Sequence, residues 1–210
     1  IDAEHALDPS YAEKVGVNID EFSPSPEPPE PICVLLASRI LWDKGVGEFV
    51  EAARILKVQG VRARFELVGD IDPGNPTSLS LEDLQDIDRE GIVERLGYRS
   101  DIVNVMKEAT IVTLPSFYGE GLPKVLIEAA ASGRPIVTTD MPGCRDAVKD
   151  GVTGVIIPPR DSISLADALQ NLLENPALCI SMGRAGREKA EKEFDIDKIV
   201  QEHIDIYQSG

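Results

Sequence analysis

The stretch Leu114-Pro-Ser-Phe-Tyr-Gly-Glu-Gly-Leu-Pro-Lys-Val-Leu-Ile-Glu-Ala129 decides how the rest of the chain is read. An apolar run over 111–114 enters it, a carboxylate between two glycines follows, and a helix over 122–132 leaves it, with Gly133 in the position that ends helices. Strand, tight loop and helix in that order are half of a βαβ unit. In doubly wound sheets the ligand lies over the carboxyl ends of the strands, where this loop and the first turn of this helix would sit. Glu120 is in the loop. Glu128, about two turns into the helix, sits among Leu126, Ile127, Ala129 and Ala130, an apolar neighbourhood for a carboxylate.

Outward from this unit the chain alternates strand and helix. Strands are expected at 32–38, 64–69, 92–97, 111–114, 136–139 and 155–157. Helices are expected at about 46–56, 81–90, 102–106, 163–174, 177–193 and 196–207, with Ser100 or Asp101 capping the one at 102–106 and Asn175-Pro176 opening the one at 177–193. Parallel neighbours need crossovers, so the prediction is an α/β fold, a doubly wound, Rossmann-like, six-stranded parallel sheet covered on both faces. Ahead of it, residues 1–31 carry prolines at 24, 26, 28, 29 and 31 and read as a stiff linker with the remnant of an upstream domain, leaving 32–210 as the folded domain.

Composition narrows the function. A net charge of −16 over 210 residues repels nucleic acid and anionic lipid, so an anionic ligand has to be held by a few local cations. No apolar segment approaches the length of a membrane span, and Asp2, Glu4 and Asp8 stand where a signal peptide has its basic start. Cys33, Cys144 and Cys179 are odd in number and without CxxC spacing, and read as reduced thiols of a cytoplasmic protein. His5 and His203 lie far from the central stretch, which leaves little for an imidazole base or a zinc site.

No G-x-G-x-x-G follows the first strand and no Walker A sequence occurs. The first βα loop instead reads Ser38-Arg-Ile-Leu-Trp-Asp-Lys-Gly-Val46. A guanidinium fork at Arg39 and a mobile ammonium at Lys44, beside a helix N-terminus, suit a diphosphate; solvated surface cations are the alternative. An ionised Glu128 in apolar surroundings needs donors, and the 2′ and 3′ hydroxyls of a ribose are two adjacent ones; a solvent-facing helix glutamate is the alternative. The glycines beside Glu120 allow close approach of a ligand, an acidic turn residue at a helix start being the alternative, and the amides of Gly121, Leu122 and Lys124 point to the same space. Asp70-Ile-Asp72 could be a D-x-D site for a divalent cation, but the chain has 37 acidic residues and D-I-D recurs at 86–88 and 195–197, so chance explains it better.

Taken together, Arg39 with Lys44-Gly45 in the first βα loop, and Glu120 and Glu128 at E-x7-E spacing on a strand-to-helix junction, resemble the nucleotide-sugar half of a retaining GT-B glycosyltransferase of the family-4 type, the group 1 glycosyl transferases. The resemblance covers about residues 32–208. It implies the C-terminal, donor-binding half of a GT-B architecture, moving a sugar with retention from a nucleotide-diphosphate sugar to an acceptor. Carried over residue by residue, it assigns Arg39, Lys44, Gly121 and Leu122 to the donor diphosphate and Glu128 to the ribose. Tyr98 and Arg99, in Gly97-Tyr-Arg-Ser100, fall to the base. Glu120 falls to the hydroxyls of the transferred sugar and is the residue named as catalytic. It implies no metal and no cofactor beyond the nucleotide-sugar substrate. Ser38 departs from the pattern, since many members have glycine there.

The stretch Thr138-Thr-Asp-Met-Pro-Gly-Cys-Arg-Asp146 is similar to a subgroup that builds lipid-linked surface polysaccharides. An acceptor saccharide, or a lipid-linked one, would then be met through an N-terminal domain, at the inner face of the membrane, without insertion. The fragment by itself is expected to bind donor and transfer nothing. A non-catalytic α/β interaction domain, or a nucleotide-sugar epimerase of the same architecture, are the alternative readings.

Overall fold

The computed structural model describes residues 15–24, 32–119 and 121–209, apart from the side chains of residues 203 and 206–209. Apolar runs without alternation become the inner strands, because a parallel strand under helices on both faces has no polar side. β1 (Cys33–Ala37), β4 (Ile111–Leu114) and β5 (Ile136–Thr139) are buried at every position. β2 (Arg64–Val68) is exposed only at its first residue, β3 (Glu94–Gly97) is a polar edge, and β6 (Gly154–Ile157) closes the other side. All pairings are parallel and the order is β3-β2-β1-β4-β5-β6. The winding therefore reverses between β1 and β4, where Val34 pairs with Ile111 and Leu35 with Val112. This is the doubly wound sheet read from the sequence.

The helices are α1 (Val46–Val58), α2 (Leu81–Glu90), α3 (Ile102–Glu108), α4 (Lys124–Ala131), α5 (Cys144–Ala147), α6 (Ser162–Glu174), α7 (Pro176–Glu193) and α8 (Ile196–Ser209). Among the described residues no helix is long and apolar enough to cross a membrane. One core gathers Phe49, Leu56, Phe65 and Leu165; the other gathers Leu35, Val112, Leu126 and Ile127. Hydroxyls inside the sheet are satisfied by carbonyls, Thr113 donating to Val137 at 2.9 Å and Thr138 to Leu114 at 2.7 Å. The three cysteines are buried and unbridged, and burial, with Glu66 nearby, pushes the Cys33 thiol up and leaves it unreactive.

Details depart from expectation for local reasons. α4 starts at Lys124, after Pro123, while Gly133 ends it with φ +69 as read. Asp101 stands at the N-cap of α3, but its carboxylate is taken by Arg99 instead of a first-turn amide. The short α5 and the 3-10 turn Trp42–Lys44 were not expected. Where α4 crosses α7, a Cβ on Gly183 would lie 2.0 Å from the Gly133 carbonyl oxygen, so this contact requires glycine.

Residues 15–24, counted in the sequence as part of the linker, pack onto the domain. Val17 is 1% exposed and Phe22 5%, both in the second core. The Val17 N–H bonds the Phe194 carbonyl at 2.8 Å, and the Ile196 N–H bonds the Val17 carbonyl at 3.1 Å. Arg187 on α7 fastens the segment, with Nη1 on the carbonyls of Ile19 (2.9 Å), Phe22 (3.0 Å) and Ala131 (2.8 Å). Arg187→Met removes these charge-assisted bonds and leaves carbonyls behind, so the urea midpoint should fall by the equivalent of about 2–3 kcal/mol at unchanged slope. A midpoint equal to wild type would show that the segment is held by its apolar contacts alone.

Candidate functional site

The carboxyl ends of β1, β2 and β3 meet the first two turns of α4 around a cavity of about 390 Å³. Its floor is backbone packed on backbone. The Ser38 N–H bonds the Val68 carbonyl at 3.0 Å, the Gly69 N–H the Gly97 carbonyl at 2.9 Å, and the Ile40 N–H the Asp70 carbonyl at 2.8 Å. Gly69 has φ +139, and a Cβ there would lie 1.8 Å from the Ser38 carbonyl oxygen. Only a residue without a side chain lets these two loops come together.

Of the residues assigned to the donor in the sequence, Arg39, Tyr98, Arg99 and Glu128 border this cavity, as do Asp70 and Asp72, weighed there as metal ligands. Glu128 is 6% exposed. Burial raises its carboxyl above the ordinary value, against the opposing pull of the Lys124 ammonium 3.6 Å away. It is a poorly hydrated acceptor aimed at a space that a hydroxylated ligand would fill. Arg39 is mostly exposed and donates to Asp72 at 2.8 Å, while the Ser78 hydroxyl takes the Asp72 N–H at 3.0 Å. The carboxylate weighed as a metal ligand thus holds the proposed phosphate-binding arginine. Arg99 grips both Asp101 oxygens at 2.7 Å, and this holds the Asp101 carboxyl down at about 2. Tyr98 is exposed on the rim.

The others stand apart. Lys44 ends the 3-10 turn and does not border the cavity. Its turn is tied to the loop after β4, since the Asp43 carbonyl accepts from the Phe117 N–H and the Ser116 hydroxyl, each at 3.0 Å. Gly45, with φ +78, would carry a Cβ 2.2 Å from the Pro115 carbonyl oxygen. The loops across the switch point are thereby joined, which sets Lys44 next to the loop that leads into Gly121. Leu122 borders a different hollow, with Phe194 and Ile199, and Gly121 is not on the cavity wall either. Glu120 lies outside the described residues.

Sequence reading did not name the apolar wall. Val125 and Ile102 flank the cavity, and Val125 precedes Glu128 by three residues, which places both on one helix face. That spacing was a usable signal.

Residues 18–189 match the family described as Glycosyl transferases group 1. The chain belongs to this family. Among curated relatives, the N,N′-diacetylbacillosaminyl-diphospho-undecaprenol α-1,3-N-acetylgalactosaminyltransferase of Campylobacter jejuni is 37% identical over 83% of this chain and 44% of its own length. The putative colanic acid biosynthesis glycosyltransferase WcaL of Escherichia coli is 31% identical over 93% of this chain and 50% of its own length. This group 1 chain thus spans about half the length of the curated relatives it matches. Its fold is that of the Anabaena protein Alr3699/HepE, solved in complex with UDP, at a TM-score of 0.81, 23% identity, and coverage of 93% of this chain and 56% of that one. It is also that of the C-terminal domain of a group 1 glycosyl transferase from Francisella tularensis, at a TM-score of 0.75, 21% identity, and coverage of 86% of this chain and all of the other. In a group 1 domain the arrangement seen here has distinct chemical halves: a buried acceptor with apolar walls, and cations at and beyond the rim.

Proposed function

We propose that this chain is the donor-binding domain of a retaining glycosyltransferase of the family-4 type. It holds a nucleotide-diphosphate sugar, whose glycosyl group passes to a lipid-linked saccharide in surface polysaccharide synthesis at the inner face of the membrane. The observation that carries the reading is the placement of Glu128 and Arg39 on one cavity at the switch point of the sheet. A ribose sits against Glu128, and the base lies between Tyr98 and the apolar wall. The diphosphate runs from Arg39 toward Lys44 and the amides of Gly121 and Leu122. As the bond from anomeric carbon to phosphate oxygen breaks, negative charge grows on the departing diphosphate, so cations placed there stabilise the transition state more than the bound donor. Glu120 addresses the hydroxyls of the sugar. The relative from Campylobacter jejuni, named for a diphospho-undecaprenol acceptor, supports a lipid-linked acceptor. Acceptor contacts come from the additional length that such relatives have, so these 210 residues bind donor without transferring sugar.

The test is a scan of thermal midpoint against nucleosides, nucleoside diphosphates and nucleotide sugars, because a ligand that binds only the folded state raises the midpoint by mass action. A rise with diphosphates of one base is expected; no rise with any member of the panel would sink the reading. Arg39→Ala and Lys44→Ala should each cost the diphosphate about tenfold or more in affinity and leave the bare nucleoside little changed, as expected of charge-assisted contacts to phosphate. Equal weakening of both ligands would remove the phosphate assignment. A chelator should leave diphosphate binding intact, and a clear loss would return Asp70 and Asp72 as metal ligands.

A further inference from the structure

Arg160, in the loop between β6 and α6, is the described non-glycine residue with positive φ, at +59. A side chain in the left-handed region is disfavoured, and a residue kept there is held by its surroundings. The surroundings are visible on both sides. Pro158 and Pro159 stiffen the approach, and Asp161 caps α6, accepting the Ser164 N–H at 2.9 Å and the Ser164 hydroxyl at 2.7 Å. Held this way, Arg160 lays its guanidinium over the ring of Phe117, with the central carbon 4.3 Å from the ring centroid. Phe117 is the half-buried residue whose N–H bonds the Asp43 carbonyl, beside the Ser116 hydroxyl bonded to the same oxygen. Thr139 at the end of β5 donates in turn to the Ser116 carbonyl. One contact therefore joins the loop after β6 to the loop after β4, and through it to the turn that carries Lys44.

We propose that Arg160 is a positioning residue, a clamp that keeps Phe117 seated and so holds the loop leading into Gly121, and the Lys44 turn, in the arrangement that receives the donor. It acts through the ring and not by touching the ligand. The last part rests on the donor-binding reading; the clamp itself does not.

The test uses Arg160→Asn, since asparagine tolerates left-handed backbone without adding chain freedom, beside Arg160→Lys, Phe117→Leu and the double variant Arg160→Asn/Phe117→Leu. In the ligand-free protein, amide exchange at Phe117 should quicken roughly two- to fivefold in Arg160→Asn, the worth of an exposed cation–ring contact, with the thermal midpoint held. Arg160→Lys, which keeps a cation over the ring, should recover part of the protection. By calorimetry, UDP and the other nucleoside diphosphates should lose a similar factor in affinity for Arg160→Asn and for Phe117→Leu, and the double variant should lose no more. Unchanged exchange in Arg160→Asn overturns the clamp. So does an affinity loss in Arg160→Asn that Phe117→Leu fails to reproduce, because the guanidinium would then be meeting the ligand directly. If wild type binds no nucleotide, the donor-binding reading falls, and exchange at Phe117 alone decides for or against the clamp.

Discussion

Gly69→Ala is expected to lower the thermal midpoint by about 10 °C or more, from a penalty of about 3–5 kcal/mol in a domain of this size. Backbone conformation accounts for part, since Gly69 sits at φ +139, a region open to glycine and almost nothing else. The larger part is steric: the new Cβ would be placed 1.8 Å from the Ser38 carbonyl oxygen, so the loops after β1 and β2 have to separate. Gly60→Ala serves as the control. Gly60 also has positive φ, +81, but nothing lies within 4 Å of a Cβ there, so its cost should be about 1 kcal/mol of backbone preference alone. The difference between the two variants measures the close approach at the cavity floor. Equal midpoints would mean that the two loops are free to part.

Glu128→Gln is expected to do opposite things to binding and to stability. The amide keeps the shape and loses the charge that accepts from ligand hydroxyls, so nucleoside diphosphate affinity should fall by about 1–3 kcal/mol, roughly 5- to 150-fold. The free domain, however, should gain stability at neutral pH. Burial raises the Glu128 carboxyl above its ordinary 4.5, so the folded chain holds that proton more tightly than the unfolded one. The group's contribution is then fully present below 4.5 and is lost as pH climbs through the raised folded value. At pH 7 wild type carries that loss and the glutamine variant does not. The gap in urea midpoint should therefore close as the pH is taken down to about 4. Calorimetry giving equal affinities would reduce Glu128 to a helix residue. A glutamine variant less stable than wild type at pH 7 would show that Lys124 more than compensates the buried charge.

How far the sequence carries depends on how local the governing physics is. β1, β4 and β5 were readable because burial on both faces leaves uninterrupted apolar runs, and the sheet followed because helices stand between them. Glu128 was readable from four apolar neighbours in its own helix. α5 and the turn Trp42–Lys44 were not, since three or four residues cannot display a period. Lys44 shares a loop with Arg39, but the loop turns, and charge spacing does not say which way; only Arg39 borders the cavity. Gly183 in a helix reads as a weak helix former, and its reason, the Gly133 carbonyl, is fifty residues away along the chain. Val17 and Phe22 look stranded ahead of a proline run because the groups that bond their backbone, the Phe194 carbonyl and the Arg187 guanidinium, come from the far end of the fold.

That last arrangement bears on how such proteins can be recombined. A chimera that exchanges donor domains between relatives at the start of β1 would separate Val17 and Phe22 from the α7 and α4 surfaces they fit. It would hand Arg187 foreign carbonyls, or none, in place of those of Ile19 and Phe22. The resulting hybrid would fail at its seam even with both halves sound, and the failure would pass for incompatible catalysis. Crossovers placed ahead of residue 15 carry the strap along with the body it fastens. Donor preference could then be transplanted as one piece, with Val17 and Phe22 still on the core they belong to.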